Sequence, residues 1–281
     1  MNTAISAPRA GPLTRVLGAY IVLLVVVFVP AAAWRDAQPF VLVRRALEIA
    51  ASFAQVLPLC AGALYGLAAV RHLEAGNRAR PAWLLHAVWL AGFAVGEGIL
   101  AFHALVLHTE PPVPSWGDAF FFIGYAGLIS ALIWFVRVYV TSGLALGSKR
   151  QPVVIALVCA GVLAAIAFFL LGPAARAAKP LPEKVVAIGY PILDFVVLVP
   201  TAILLRLTSR FHGGHVWRAW ASILAAFVVL AAADVAFAYF DLETMRWLDL
   251  LMRGTFAAGY AIAAHGAALQ YELIKPTPAL N

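Results

Sequence analysis

Residues 82–107 read AWLLHAVWLAGFAVGEGILAFHALVL, twenty-six positions in which Glu97 is the one Asp, Glu, Lys or Arg. A helix needs about 20 mainly apolar residues to cross roughly 30 Å of hydrocarbon, so this stretch is a membrane span. Working outward in both directions, seven more apolar runs appear. Together the eight cover approximately 15–34, 48–70, 82–107, 118–140, 152–172, 185–205, 217–240 and 246–270, with Pro, Gly and charge punctuating the segments between them. The expected fold is an all-α integral membrane protein of eight transmembrane helices. The connections are short and the chain stops soon after span 8, so no soluble catalytic domain and no enzymatic activity are expected.

Composition agrees with this. Of 281 residues 64% are apolar and 12% charged, where a soluble domain has about 25% charged. A water-soluble globule is excluded. The formal charge of +7 reports basic loops beside a membrane and gives no support to nucleic-acid binding. Cys60 and Cys159 stand alone in apolar runs, so neither a disulfide framework nor a zinc site follows.

Basic residues set the orientation. Arg9, Arg15, Arg71, Arg78, Arg80, Arg137, Lys149, Arg150, Arg206, Arg210, Arg218 and Lys275 fall on one side, and eight Lys or Arg fall on the other. The richer side is expected to be cytoplasmic, with both termini there, in a multi-pass membrane protein. A second reading makes Arg9, Arg15, the run 16–29 and Ala31-Ala32-Ala33 a cleaved signal peptide. The first span is then lost, although an internal repeat needs it.

That repeat emerges when residues 1–150 and 151–281 are laid side by side. Arg71, Trp83, Gly96-Glu97, Trp116-Gly117-Asp118 and Gly124-Tyr125 have, in the same order, Arg206, Trp217, Ala233-Asp234, Trp247-Leu248-Asp249 and Gly259-Tyr260. Glu97 lies 26 residues after Arg71, and Asp234 lies 28 after Arg206. The chain is expected to be a single transmembrane domain of two four-helix halves, related by an axis along the membrane normal.

An ionisable residue inside a span costs about 2.5–3.5 kcal/mol if it faces lipid, so it is expected to face protein or trapped water. Glu97, Asp118, Asp194, Asp234 and Asp249 raise this question, and all but Asp194 fall toward the external side. Asp118 and Tyr125 are seven residues apart, and Asp249 and Tyr260 eleven. Both separations are close to whole turns, so each pair shares a helix face. Tyr190 and Asp194 are neighbours on another helix that Pro191 interrupts. An outward-facing acidic vestibule is expected, with Arg253 as counter-charge.

Each acid also has a structural reading. Ser115-x-x-Asp118 is a capping box at a helix start, Asp249 and Arg253 are spaced for an ion pair, and Asp194 suits a hydrogen bond between helices. Glu97 and Asp234 have no partner in their own helices, and for them a site is the default expectation. Among the histidines, His103 lies near the vestibule as a ligand or pH-sensitive group. His86 and His265 lie at similar depth and suit either a haem clamp or hydrogen bonds between helices. No HExxH motif is present, and no cofactor is assigned. Trp34, Trp83, Trp116, Trp217 and Trp247 flank spans and read as interfacial anchors.

The order Glu97, Pro114-Ser115-Trp116-Gly117-Asp118, Gly124-Tyr125, Tyr190-Pro191-Ile192-Leu193-Asp194, Ala233-Asp234 and Trp247-Leu248-Asp249 resembles a family of domains. These are the multi-span membrane sensory input domains found N-terminal to bacterial diguanylate cyclase, phosphodiesterase and histidine kinase domains, and here such a domain would stand alone. The resemblance implies a non-enzymatic sensor. Its small ligand or ion would sit among Glu97, Asp234, Asp118, Asp249, Asp194, Tyr125, Tyr190, Tyr260 and Arg253. The signal would pass to a separate cytoplasmic or membrane signalling partner. The same acids would serve a small-solute or proton-coupled transporter, and His86 with His265 a haem-bearing redox protein.

Overall fold

The computed structural model describes residues 12–33, 41–143, 180–212, 214–240 and 246–275, with scattered positions from 153 to 172. They form seven α-helices in order: α1 (Pro12–Ala33), α2 (Val41–His72), α3 (Arg80–Phe102), α4 (Trp116–Thr141), α5 (Leu181–Leu207), α6 (His215–Tyr239) and α7 (Arg246–Ile274). No strand occurs among the described residues. Helices satisfy their own backbone polar groups, which is what a chain this apolar needs in a bilayer.

Among the described residues five stretches are long and apolar enough to span: 45–72, 80–107, 116–141, 181–207 and 216–237. They match the expected spans 2, 3, 4, 6 and 7. The first span corresponds to α1, whose apolar part at 14–29 is shorter. Most of the fifth, 152–172, lies outside the described residues. Span 8 corresponds to α7, which is 29 residues long but falls short in hydropathy.

The physical reason lies in its surroundings, since α7 packs against α1, α2 and α6. Ala257, Ala261, Ala263, Ala264, Ala267 and Ala268 bury almost completely against those neighbours. A helix walled by protein presents small residues that let backbones approach, where a lipid-facing helix presents Leu and Val. In α3 the contrast runs along one helix: Leu84, Val88 and Val95 are exposed, while Trp83, Leu90 and Phe93 are buried.

Glycine sets the closest contact, between α3 and α4. A Cβ on Gly92 would lie 2.9 Å from the Phe120 carbonyl oxygen and 3.2 Å from Gly124 Cα, and a Cβ on Gly124 would lie 2.6 Å from the Phe93 ring. Above this contact α4 begins with the expected capping box. Ser115 Oγ accepts from the Asp118 amide at 3.4 Å, and Asp118 Oδ2 accepts from the Ser115 amide at 2.5 Å.

The starts of α1, α3 and α6 and the ends of α2, α4, α5 and α7 meet at one end of the bundle. Cross-links there include Thr14 to Glu272 at 3.5 Å and Trp220 Nε1 to the Tyr139 hydroxyl at 3.3 Å. The helix ends gathered here carry Arg15, Arg71, Arg78, Arg80, Arg137, Arg206, Arg218 and Lys275, so this is the basic end.

Below it lies an aromatic layer. The Phe135 ring sits between Trp83 at 5.2 Å and Trp220 at 5.1 Å, both edge-on, and Trp89 meets Phe227 at 5.2 Å. Trp83 is therefore a core residue, 3% exposed, and not the interfacial anchor its position at a span end suggests. Its ring faces α4 because Phe135 fills the space beside it. Trp116, in contrast, is 79% exposed.

Candidate functional site

Toward the opposite end, α3, α4, α5, α6 and α7 each bring polar side chains into the interior. Glu97, on the inner face of α3 four residues after Phe93, accepts a hydrogen bond from the Tyr260 hydroxyl of α7 at 2.7 Å. The Tyr125 hydroxyl of α4 donates to Asp194 Oδ1 of α5. Tyr190, one turn before Asp194, donates to Asp118 Oδ1 at 2.5 Å. Asp118 thus serves two roles with its two oxygens, one capping α4 and one tying α4 to α5.

Asp234 on α6 lies beside Asp194 and close enough to act electrostatically on Glu97, Tyr125 and Tyr260. Asp194 Oδ2 has no hydrogen-bond donor among the described residues. Asp194 is 0% and Glu97 7% exposed. Asp118, Tyr190 and Asp234 are partly exposed, and the tyrosine hydroxyls bond Glu97, Asp118 and Asp194 from neighbouring helices.

Arg253 lies at the edge of this core. It pairs with Asp249 at 3.0 Å, both side chains remaining partly exposed, and its charge reaches Glu97. Gln55 Nε2 of α2 donates to the Arg253 carbonyl at 3.2 Å. A small pocket of about 110 Å³ opens beside it, lined by Arg45, Glu48, Ser52, His108 and Arg253 among others. Close by, α3 ends in a π-helical turn, His103–Leu107, and His103 Nδ1 contacts Thr109 Oγ1 at 3.3 Å.

The structure thus gathers Glu97, Asp118, Asp194, Asp234, Tyr125, Tyr190 and Tyr260 into one region, with Asp249 and Arg253 at its margin. His103 lies toward the surface. His86 and His265 are apart from this cluster. His86 is fully buried, its ring nitrogens have no hydrogen-bond partner among the described residues, and it packs edge-on between Trp83 and Trp89 at 5.4 and 5.1 Å. His265 meets Ser222 of α6 at 3.3 Å. No group of three or more His, Cys, Asp or Glu with metal-holding geometry occurs among the described residues.

Sequence reasoning missed the aromatic frame of the core. The Phe93 ring lies 5.0 Å from Tyr125 and 6.1 Å from Tyr260, separating the two tyrosines, and Phe122 stacks on Tyr190 at 5.4 Å. Helical spacing carries the signal for Phe93, since it lies one turn before Glu97 on the same face. Comparison with protein-family models, with curated proteins and with solved structures gives no match.

Proposed function

We propose that the chain is a membrane sensor, built as an eight-helix bundle of two similar halves, in which the buried acid–tyrosine core binds a proton or a small cation. The observation carrying this reading is the crossed bonding: Glu97 of the first half takes Tyr260 of the second, and Tyr125 of the first gives to Asp194 of the second. A change of charge at these acids acts on bonds that bridge the halves. Binding there is therefore coupled to their relative position, which is what a receptor requires.

Two further features support the repeat. In the first half α3 lies against α2 and α4, and in the second α6 lies against α5 and α7. Gly124, just before Tyr125, seats Phe93, while Gly259, just before Tyr260, seats Leu230 with a hypothetical Cβ 2.7 Å away. Phe93 and Leu230 stand four residues before Glu97 and Asp234. The basic end is assigned to the cytoplasm, with both termini there, and the acid–tyrosine core to the outer half of a bacterial inner membrane. A separate signalling protein receives the output, as the resemblance to sensory input domains implies.

The test is thermal melting of the purified protein across pH and with sodium, calcium and guanidinium chlorides. Sodium or guanidinium, or acidification, is expected to raise the wild-type Tm, and Glu97→Gln with Asp234→Asn to abolish the response while leaving a cooperative transition. An identical response in the double variant overturns the reading. A second reading, a proton-coupled carrier, draws on Pro58 inside α2 and Pro191 and Pro200 inside α5, because a proline within a helix removes a backbone hydrogen bond and frees a carbonyl for a bound ion. Proton flux in proteoliposomes, lost in the same variant, distinguishes it.

A further inference from the structure

The basic end carries a groove unrelated to the acid–tyrosine core. It has a volume of about 810 Å³ and opens between the α2–α3 turn and the last turns of α4. Arg78, Arg80 and Arg137 line it together with Leu84, Trp134 and Val138. All three arginines are exposed, and none is joined to a carboxylate by an ion pair among the described residues. The turn is fixed in place: Trp134 Nε1 donates to the Arg78 carbonyl at 2.8 Å, and the Arg80 amide donates to the Asn77 carbonyl at 3.1 Å.

Three guanidinium groups on two helices and a turn, none in an ion pair with a carboxylate among the described residues, call for an anion. Guanidinium suits phosphate because its planar fork presents paired donors. The other wall narrows the choice. Leu84 is 49% and Trp134 40% exposed, and below Leu84 the lipid-facing stripe of α3 continues through Val88 and Val95. A soluble phosphate compound has no use for that wall, whereas a phospholipid at the edge of the apolar zone meets both surfaces at once.

We propose that this groove binds the phosphate of an anionic phospholipid, with Arg78, Arg80 and Arg137 around the headgroup and an acyl chain along Leu84 and Val88. The site ties α2, α3 and α4 together at the basic end and requires that end to face a leaflet rich in anionic lipid. It is independent of the sensor reading and stands or falls separately.

The test follows the Tm of the full chain in neutral detergent during titration with phosphatidylglycerol, with phosphatidylcholine of the same chains, and with glycerol 3-phosphate. Phosphatidylglycerol is expected to give a saturable rise and the other two none. The triple variant Arg78→Gln, Arg80→Gln, Arg137→Gln is expected to weaken the apparent affinity roughly 100-fold, the loss due to three basic groups near an anionic surface. Arg15→Gln, Arg218→Gln and Lys275→Gln at the same end are expected to leave it within about threefold. Leu84→Glu keeps the arginines and an exposed position, and is expected to weaken phosphatidylglycerol about tenfold. An equal response to phosphatidylcholine overturns the proposal, as does an equal response to glycerol 3-phosphate, which marks a soluble-phosphate site. Full retention of the response in Leu84→Glu and in the arginine triple overturns it, as does an equal loss in the second triple.

Discussion

Two layers of the same bundle solve different problems. Near the basic end, α3, α4 and α6 meet through Trp83, Phe135, Trp220, Trp89 and Phe227, whose rings stand 5.1–5.2 Å apart at three contacts. Toward the other end, the same three helices, with α5 and α7, meet through carboxylates and tyrosine hydroxyls. The aromatic layer has ring nitrogens without a partner among the described residues at His86 and Trp89, whereas in the second layer Glu97, Asp118 and Asp194 each take a donor from another helix, one oxygen of Asp194 remaining without one. Packing area holds the first layer, and directed bonds specify the second. In lipid, where apolar side chains gain little by leaving the solvent, tight contact carries stability and polar bonds between helices are individually modest.

That contrast orders the expected effects of substitution. The largest belongs to the aromatic layer: Trp220→Ala, at 1% exposure, empties the space beside Phe135 and is expected to cost roughly 3 kcal/mol in unfolding from mixed micelles. Next comes the closest backbone approach. Gly124→Val drives side-chain atoms into Phe93 and is expected to cost about 2 kcal/mol, whereas Gly18→Val, with no atom near its Cβ position, serves as the quiet control. A loss at Gly18 as large as at Gly124 would deny that close approach matters.

Smaller effects belong to the polar layer. Tyr260→Phe leaves the buried Glu97 without its hydroxyl donor, and Tyr125→Phe does the same to Asp194. Each is expected to cost about 1 kcal/mol in stability while removing the response to cations or acid, which Trp220→Ala retains where it folds. Smallest is Arg253→Gln. Its ion pair with Asp249 is half-exposed, so the stability change is expected within about 0.5 kcal/mol, and the functional change is read from the cation response. Should Tyr260→Phe destabilise more than Trp220→Ala, the division of labour between the layers is wrong.

The sequence made the polar layer unusually legible, since charge in a span stands out against an apolar background. Glu97, Asp194 and Asp234 were each visible alone, and helical spacing aligned Asp118 with Tyr125. The partners across helices were not visible: nothing in the spacing joins Tyr260 to Glu97 or Tyr125 to Asp194, because those contacts depend on which helices become neighbours. The double role of Asp118 was half legible, through its capping box. The aromatic layer was misread at Trp83, where a tryptophan at a span end looks the same whether it turns to the headgroups or to Phe135. The weakness of α7 as a span escaped notice because its length and alanine content pass for apolarity until neighbours are known.

That weakness of α7 bears on biogenesis. A segment carrying Asp249, Arg253, His265 and Gln270, with alanine where other spans have leucine, partitions poorly into lipid as an isolated helix. Its place in the bundle rests on α1, α2 and α6, which wall it. If it crosses the bilayer, it is expected to enter by docking onto helices made earlier. Until that docking Glu97 lacks Tyr260, so the polar core is complete only when α7 is seated.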